Sequence, residues 1–164
     1  MVRMFQPTRK PEEILAYRTL RQVLVAKPKG LWTSAPADSV LTALQLMTEK
    51  NVGLLVVLDR GALAGVVSER DCVRRAVLGK KPLETTPIAD VMVREVITVD
   101  AEQTFADCLR LMHQHAIRHL PVLDGGKVIA VISIRDLLRE AVTHNAKVIA
   151  EVELERMTMF TSMT

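Results

Sequence analysis

The chain has 164 residues, half of them hydrophobic and a quarter charged, with a net charge of +3. That length suits one compact domain or two small fused ones, with enough core to need no disulfide or metal staples. Basic residues cluster only as pairs (Arg9-Lys10, Arg74-Arg75, Lys80-Lys81), and one Trp, one Tyr and three Phe leave little to stack on bases, so a nucleic-acid binder is disfavoured.

Two cysteines make no disulfide framework. No apolar run is long enough to span a bilayer, and MVRMFQPTRK lacks the apolar segment of a signal peptide. The expectation is a reduced, cytoplasmic protein without a membrane segment.

In chain order, the first expected element is a helix over residues 11–26, with Ile14, Leu15, Val23 and Leu24 as buried candidates. A short β-prone run follows at 31–34. Val40, Ala43, Leu44 and Met47, at i, i+3, i+4 and i+7, predict an amphipathic helix. Two strands, 54–58 and 62–67, are expected around Asp59-Arg60-Gly61, and Ser68 then caps a second helix. Thr86-Pro87 reads as an N-cap followed by proline at the first helical position, opening a short helix over 88–92.

From there the chain repeats itself. Shifted by 65 residues, 31–77 falls on 96–142 without a gap, and 16 of the 47 aligned positions are identical. The second copy has a β-prone run at 96–99 and a helix with Phe105, Cys108, Leu109 and Met112 on one stripe. Strands 120–123 and 128–132 follow, around Asp124-Gly125-Gly126. A last helix over about 145–159 is expected to pack on a neighbour or a second subunit.

Each copy thus reads β-α-β-β-α, an α+β arrangement. At about 50 residues one copy would leave an apolar face bare, and two can cover each other about a pseudo-twofold axis. The organisation expected is an N-terminal helical segment (1–30), a first repeat (31–87), a linker helix and second repeat (88–143), and a C-terminal tail (144–164).

The candidate site is the end of each copy, GVVSERD at 65–71 and AVISIRD at 130–136. One reading is purely structural. Ser-x-x-Asp at a helix start is a capping box, worth about 1 kcal/mol. The other reading is functional. A strand running into a helix N-terminus offers amides and a positive dipole end to phosphate. Arg70 and Arg135 add guanidinium groups suited to it. Gly65 would let a ligand approach the backbone, while Asp71 and Asp136 suit the vicinal hydroxyls of a ribose. Spacing alone leaves both readings open.

The duplicated β-α-β-β-α order, the G-h-h-S-x-x-D ends, the stretch Ile117-Arg118-His119-Leu120-Pro121-Val122 and the linker Ile88-Ala89-Asp90-Val91-Met92 resemble a tandem cystathionine-β-synthase (CBS) domain pair, or Bateman module. The resemblance covers about residues 14–143. It implies that adenosine compounds (AMP, ADP, ATP, S-adenosylmethionine or NAD) bind in a cleft between the copies. Asp71 and Asp136 would hold ribose, with Ser68 and Ser133 near ribose or phosphate. Thr33, Thr98, Leu54, Leu55, His119, Leu120 and Pro121 would line the base pocket.

Ala130 stands where the second motif's glycine is expected, and Arg118-His119 replaces Gly53-Leu54, so the two sites would differ in ligand or occupancy. The resemblance also implies a homodimer of modules, with a regulated protein partner as a further candidate. Among other readings, His113 and His115 lie two apart near a helix end and read as surface residues rather than metal ligands. Cys72 and Cys108 match Leu137 and Ala43 in the other copy and read as small core residues rather than catalytic thiols.

No Gly-rich phosphate loop or dinucleotide fingerprint appears. The reading is therefore a regulatory protein without a catalytic cofactor or metal, not an enzyme. The alternative is a dimerising interaction module whose turns are only caps.

Overall fold

The computed structural model describes residues 19–25 and 30–143. The elements, in order, are α1 (Leu20–Val25), β1 (Thr33–Ser34), α2 (Val40–Lys50), β2 (Leu54–Asp59), β3 (Ala62–Ser68) and α3 (Glu69–Cys72). A π-helical turn (Val73–Val77) and a 3-10 turn (Ile88–Asp90) follow, then β4 (Val99–Asp100), α4 (Phe105–Gln114), β5 (His119–Asp124) and β6 (Lys127–Ser133). Residues 134–143 form helix α5. The expected α+β repeat is present. Ile14, Leu15 and the helix expected over 145–159 lie outside the described residues.

Two three-stranded sheets, β1-β2-β3 and β4-β5-β6, have the same strand order. Their short first strands pair in parallel at equivalent registers, Ser34 with Val57 and Val99 with Val122. In both hairpin turns two successive residues have positive φ, Arg60-Gly61 and Gly125-Gly126, the backbone that a tight two-residue hairpin requires. The chain divides into two compact units. One comprises Pro28–Asp100 and His119–Val131, the other Met1–Lys27, Ala101–Arg118 and Ile132–Thr164. Each unit draws on both copies.

The larger unit is built on an aliphatic core. Val40, Ala43 and Met47 of α2 meet Leu55, Val57 and Val67 of the sheet, together with Cys72 and Ala76, and Ile88, Val91 and Met92 of the linker. In the smaller unit the α4 stripe Phe105, Cys108 and Met112 is buried, with Leu20 and Val23 of α1 and Leu137 of α5. The 3.6-residue spacing of both stripes therefore marks core-facing helix surfaces.

Three expectations need correction. The β-prone run at 96–99 forms strand only from Val99. In copy one the ladder begins at Thr33–Val56, where the Val56 N–H donates to the Trp32 carbonyl at 3.2 Å. The counterpart of Val56 is Pro121, which has no N–H to donate, so the second ladder starts one residue later. Likewise only Thr33–Ser34 of the run at 31–34 is strand.

Thr86 is not the cap of the linker helix. Its hydroxyl donates to the Pro82 carbonyl at 2.7 Å, and Pro87 takes the cap position of a shorter 3-10 turn. The amides of that turn are satisfied by backbone instead, Ile88 N–H by the Asp38 carbonyl (2.8 Å) and Ala89 N–H by the Pro36 carbonyl (2.9 Å).

Finally, the repeat reaches further than a gapless shift reveals. Leu20 N–H donates to the Gln103 carbonyl and Arg21 N–H to the Ala101 carbonyl. Gln103 and Ala101 are the counterparts of Asp38 and Pro36, so Leu20-Arg21 corresponds to Ile88-Ala89 at an offset of 68. Isolated bridges Thr19–Thr104 and Ser39–Pro87 follow the same rule. The segment leading into each copy thus fastens to the loop before the first helix of the other copy.

Gly65 is buried on β3, where a Cβ would lie 2.7 Å from the Val93 carbonyl oxygen and 3.0 Å from Met92 Sδ. Val93 and Val66 exchange two backbone hydrogen bonds, of 3.0 and 2.8 Å, so the carbonyl cannot retreat without breaking the bridge. Gly65→Ala is expected to cost about 2 kcal/mol or more, in the range of overpacked cores. Ala130→Gly, at the equivalent position, should cost no more than about 1 kcal/mol, the usual glycine penalty in a strand. Urea denaturation of the two variants checks the contrast.

Candidate functional site

Both Ser-x-x-Asp turns are capping boxes. Asp71 N–H donates to Ser68 Oγ at 3.2 Å, and Ser68 N–H donates to Asp71 Oδ2 at 3.0 Å. Ser68 Oγ also donates to Asp71 Oδ2, at 2.5 Å. In the second turn Asp136 N–H reaches Ser133 Oγ at 3.2 Å. Ser133 N–H and Oγ reach Asp136 Oδ2 at 2.8 and 2.7 Å. A third box of the same form opens α4, with Thr104 and Asp107. It escaped notice in the sequence because it does not recur in copy one, where Ser39 caps α2 and Thr42 takes the place of the acid.

A further bond fastens each turn to its sheet. Glu69 N–H donates to the Gly53 carbonyl at 3.2 Å, and Ile134 N–H to the Arg118 carbonyl at 2.9 Å. Of the amides at the start of α3, those of Ser68, Glu69 and Asp71 are therefore engaged, and the turn is less open to phosphate than the strand-to-helix pattern suggests. What remains available in copy one is Asp71 Oδ1, which accepts no hydrogen bond among the described residues, since all the contacts of its carboxylate are made through Oδ2. Capping thus holds the carboxylate in place and leaves one of its oxygens as an acceptor. A hydroxyl donor such as ribose suits it.

Arg70 and Arg135 are exposed and form no ion pair among the described residues. Arg118 is also exposed. Thr33, Thr98, Leu54 and His119 are half-buried, whereas Leu55 and Leu120 are fully buried and Pro121 is buried. Leu55 belongs to the core of the larger unit, so what it offers a ligand is backbone. Gly65 is explained by Val93 and Met92. The larger unit brings together Ser68, Asp71 and Gly53 with His119 of copy two, whose Cε1 lies 3.9 Å from a Cβ built on Gly53. Ser133, Arg135, Asp136 and Arg118 belong to the other unit.

His113 and His115 are exposed, and no cluster of three potential metal ligands occurs among the described residues. Cys72 and Cys108 are free and buried. Burial, with Asp71 and Glu69 nearby, pushes the Cys72 thiol up to about 11, and burial with Asp107 does the same to Cys108. Thiols so raised are poor nucleophiles near neutral pH, in keeping with a core role. No helix among the described residues is long and apolar enough to cross a membrane.

Duplicated three-stranded sheets, each ending in a capped Ser-x-x-Asp turn, define a tandem α+β repeat. The CBS domain family matches residues 29–77 and 88–143, and the chain belongs to that family. It is 34% identical to the mitochondrial CBS domain-containing protein CBSX3 of Arabidopsis thaliana, over 94% of this chain and 77% of the relative.

With YhcV of Bacillus subtilis it shares 30% identity over 64% of this chain and 74% of the relative. A solved CBS-domain structure from Burkholderia ambifaria MC40-6, assigned to signal transduction, superposes with a TM-score of 0.74. It is 40% identical and covers 77% of this chain and 95% of its own. The fold is thus that of a CBS-domain pair, a class of regulatory and signal-transduction modules.

Proposed function

We propose that the chain is an adenine-nucleotide sensor, binding AMP, ATP or NAD at its Ser-x-x-Asp turns. The observation that carries this reading is Asp71 Oδ1, which accepts no hydrogen bond among the described residues and is held in place by a box that uses only Oδ2. Asp71 and, by the repeat, Asp136 hold ribose hydroxyls. Arg70, Arg135 and the residual helix dipole serve phosphate.

Thr33, Leu54, Leu55, Thr98, His119, Leu120 and Pro121 surround the base, with Arg118 and His119 marking the difference between the sites. The role is regulatory rather than catalytic, in the cytoplasm. A relative with a mitochondrial name sets no compartment for this chain.

The Thr104–Asp107 box supplies an internal control, because it is a cap of the same form outside the motif. Thermal unfolding with AMP, ATP and NAD compares wild type with Asp71→Ala, Asp136→Ala and Asp107→Ala. Each substitution lowers stability by about 1 kcal/mol through the lost cap. At about 100 times its dissociation constant a ligand stabilises wild type by about 2.7 kcal/mol. Asp107→Ala should retain that gain, and at least one of Asp71→Ala and Asp136→Ala should lose it. Equal ligand responses in all four proteins would leave the turns as caps alone.

Self-association is supported by a second observation. Val73 and Val77 are 47% and 49% exposed, and their counterparts Leu138 and Val142 are 56% and 70% exposed. Apolar pairs at i and i+4 have thus persisted on the outer face of the second helix in both copies, where a solvated helix would carry polar residues. A homodimer covers them. Hexamers are known for the structurally similar cyanobacterial CBS-CP12 protein, 25% identical with a TM-score of 0.67. Sedimentation of the combined Val77→Asp and Val142→Asp variant should show a monomer where wild type is a dimer, and an unchanged dimer would place the interface elsewhere.

A further inference from the structure

The linker between the copies is clamped on both sides of the copy-one turn. Upstream, Val66 on β3, two residues before Ser68, exchanges two backbone hydrogen bonds with Val93. Gly65 allows that close approach. Downstream, α3 widens into the π-helical turn Val73–Val77, a local irregularity often kept at functional positions. From it Arg75 reaches across to the linker, where its Nη1 donates to the Met92 carbonyl at 2.8 Å and the Val91 carbonyl at 3.2 Å. These carbonyls lie just beyond the 3-10 turn, where a cation is favoured. Ser68–Asp71 therefore lies between two anchors on one stretch of three linker residues, 91–93.

The arginine of the second anchor is not repeated in copy two. The counterpart of Arg75 is Glu140, a carboxylate that accepts hydrogen bonds and cannot donate to carbonyls. The neighbouring pairs Arg74/Arg139, Ala76/Ala141 and Val77/Val142 are identical, so the difference is local to this position.

We propose that Arg75 is a positioning residue that ties the linker to the copy-one turn, so that occupancy of Ser68–Asp71 is read out in residues 91–93. This rests on the nucleotide reading of the turn. Binding that steadies the turn steadies α3 and, through Arg75, the linker that runs on into copy two.

The test is amide hydrogen exchange of the full chain with and without AMP, in wild type, Arg75→Met and Arg75→Lys, with AMP affinity measured for each by calorimetry. In wild type, AMP should slow exchange at Met92 and Val93 by about tenfold, as expected for a local opening that ligand suppresses. In Arg75→Met, AMP affinity should stay within about threefold of wild type. The AMP-dependent slowing at 92–93 should disappear while that at 69–71 remains. Arg75→Lys, which keeps the charge but not the fork, should fall between.

A merely structural arginine would speed exchange in the free protein and leave the AMP-dependent slowing intact, and that outcome overturns the proposal. So does slowing at 92–93 that survives Arg75→Met, or wild type that binds AMP without it. Failure of wild type to bind AMP at all would instead remove the AMP-site reading on which the latch stands.

Discussion

One hydrogen bond, made twice, holds the candidate sites in place. The amide that follows the capping serine in each Ser-x-x-Asp turn donates to the carbonyl just before the central strand of its sheet, Glu69 to Gly53 and Ile134 to Arg118. An unpaired amide at a partly buried helix start would be costly, so this bond fixes where the helix leaves the sheet. The capping box then fixes the carboxylate through one oxygen, and in copy one the second oxygen accepts no hydrogen bond among the described residues. On the proposed reading, stability and recognition use different atoms of one side chain.

The same economy appears in the leaders. Leu20-Arg21 and Ile88-Ala89 use identical amide-to-carbonyl bonds to pin the loops before α4 and α2. Their following apolar residues, Val23 in one and Val91 in the other, are buried beneath them. Each repeat is too small to close its own core and takes a leader from the other, so neither copy is a self-sufficient folding unit. An element that is shared in this way is a natural place for one copy's state to be felt, and in copy one Arg75 and the Val66–Val93 bridge add to the sharing.

Much of the fold was legible in the sequence because patterning and turn chemistry agreed. The stripes through Met47 and Met112, the hairpins at Gly61 and Gly126, and the caps at Ser68 and Ser133 all stand where periodicity and residue type put them. Other features depended on pairing that sequence does not display. Pro121 on the neighbouring strand moves the start of β4 one residue along. A three-residue difference in spacing hid the kinship of the two leaders.

Thr86 resembles a cap, but the Pro82 carbonyl takes its hydroxyl. Gly65 was readable as special, and its cause, the Val93 carbonyl, lies 28 residues away along the chain. The site was legible as residue types. Only the folded structure shows that three of the amides at Ser68–Asp71 are already bonded and that Asp71 Oδ1 has no donor among the described residues.

Nucleotide binding sets the proposed turns apart from caps alone. The most direct measurement is a nitrogen-15 correlation spectrum of the full chain titrated with AMP. Saturable shifts are expected at the amides of 68–71, 133–136 or both, with the amides of 104–107, capped in the same way, staying still. Shifts confined to other regions, or equal shifts at all three capping boxes, would contradict it.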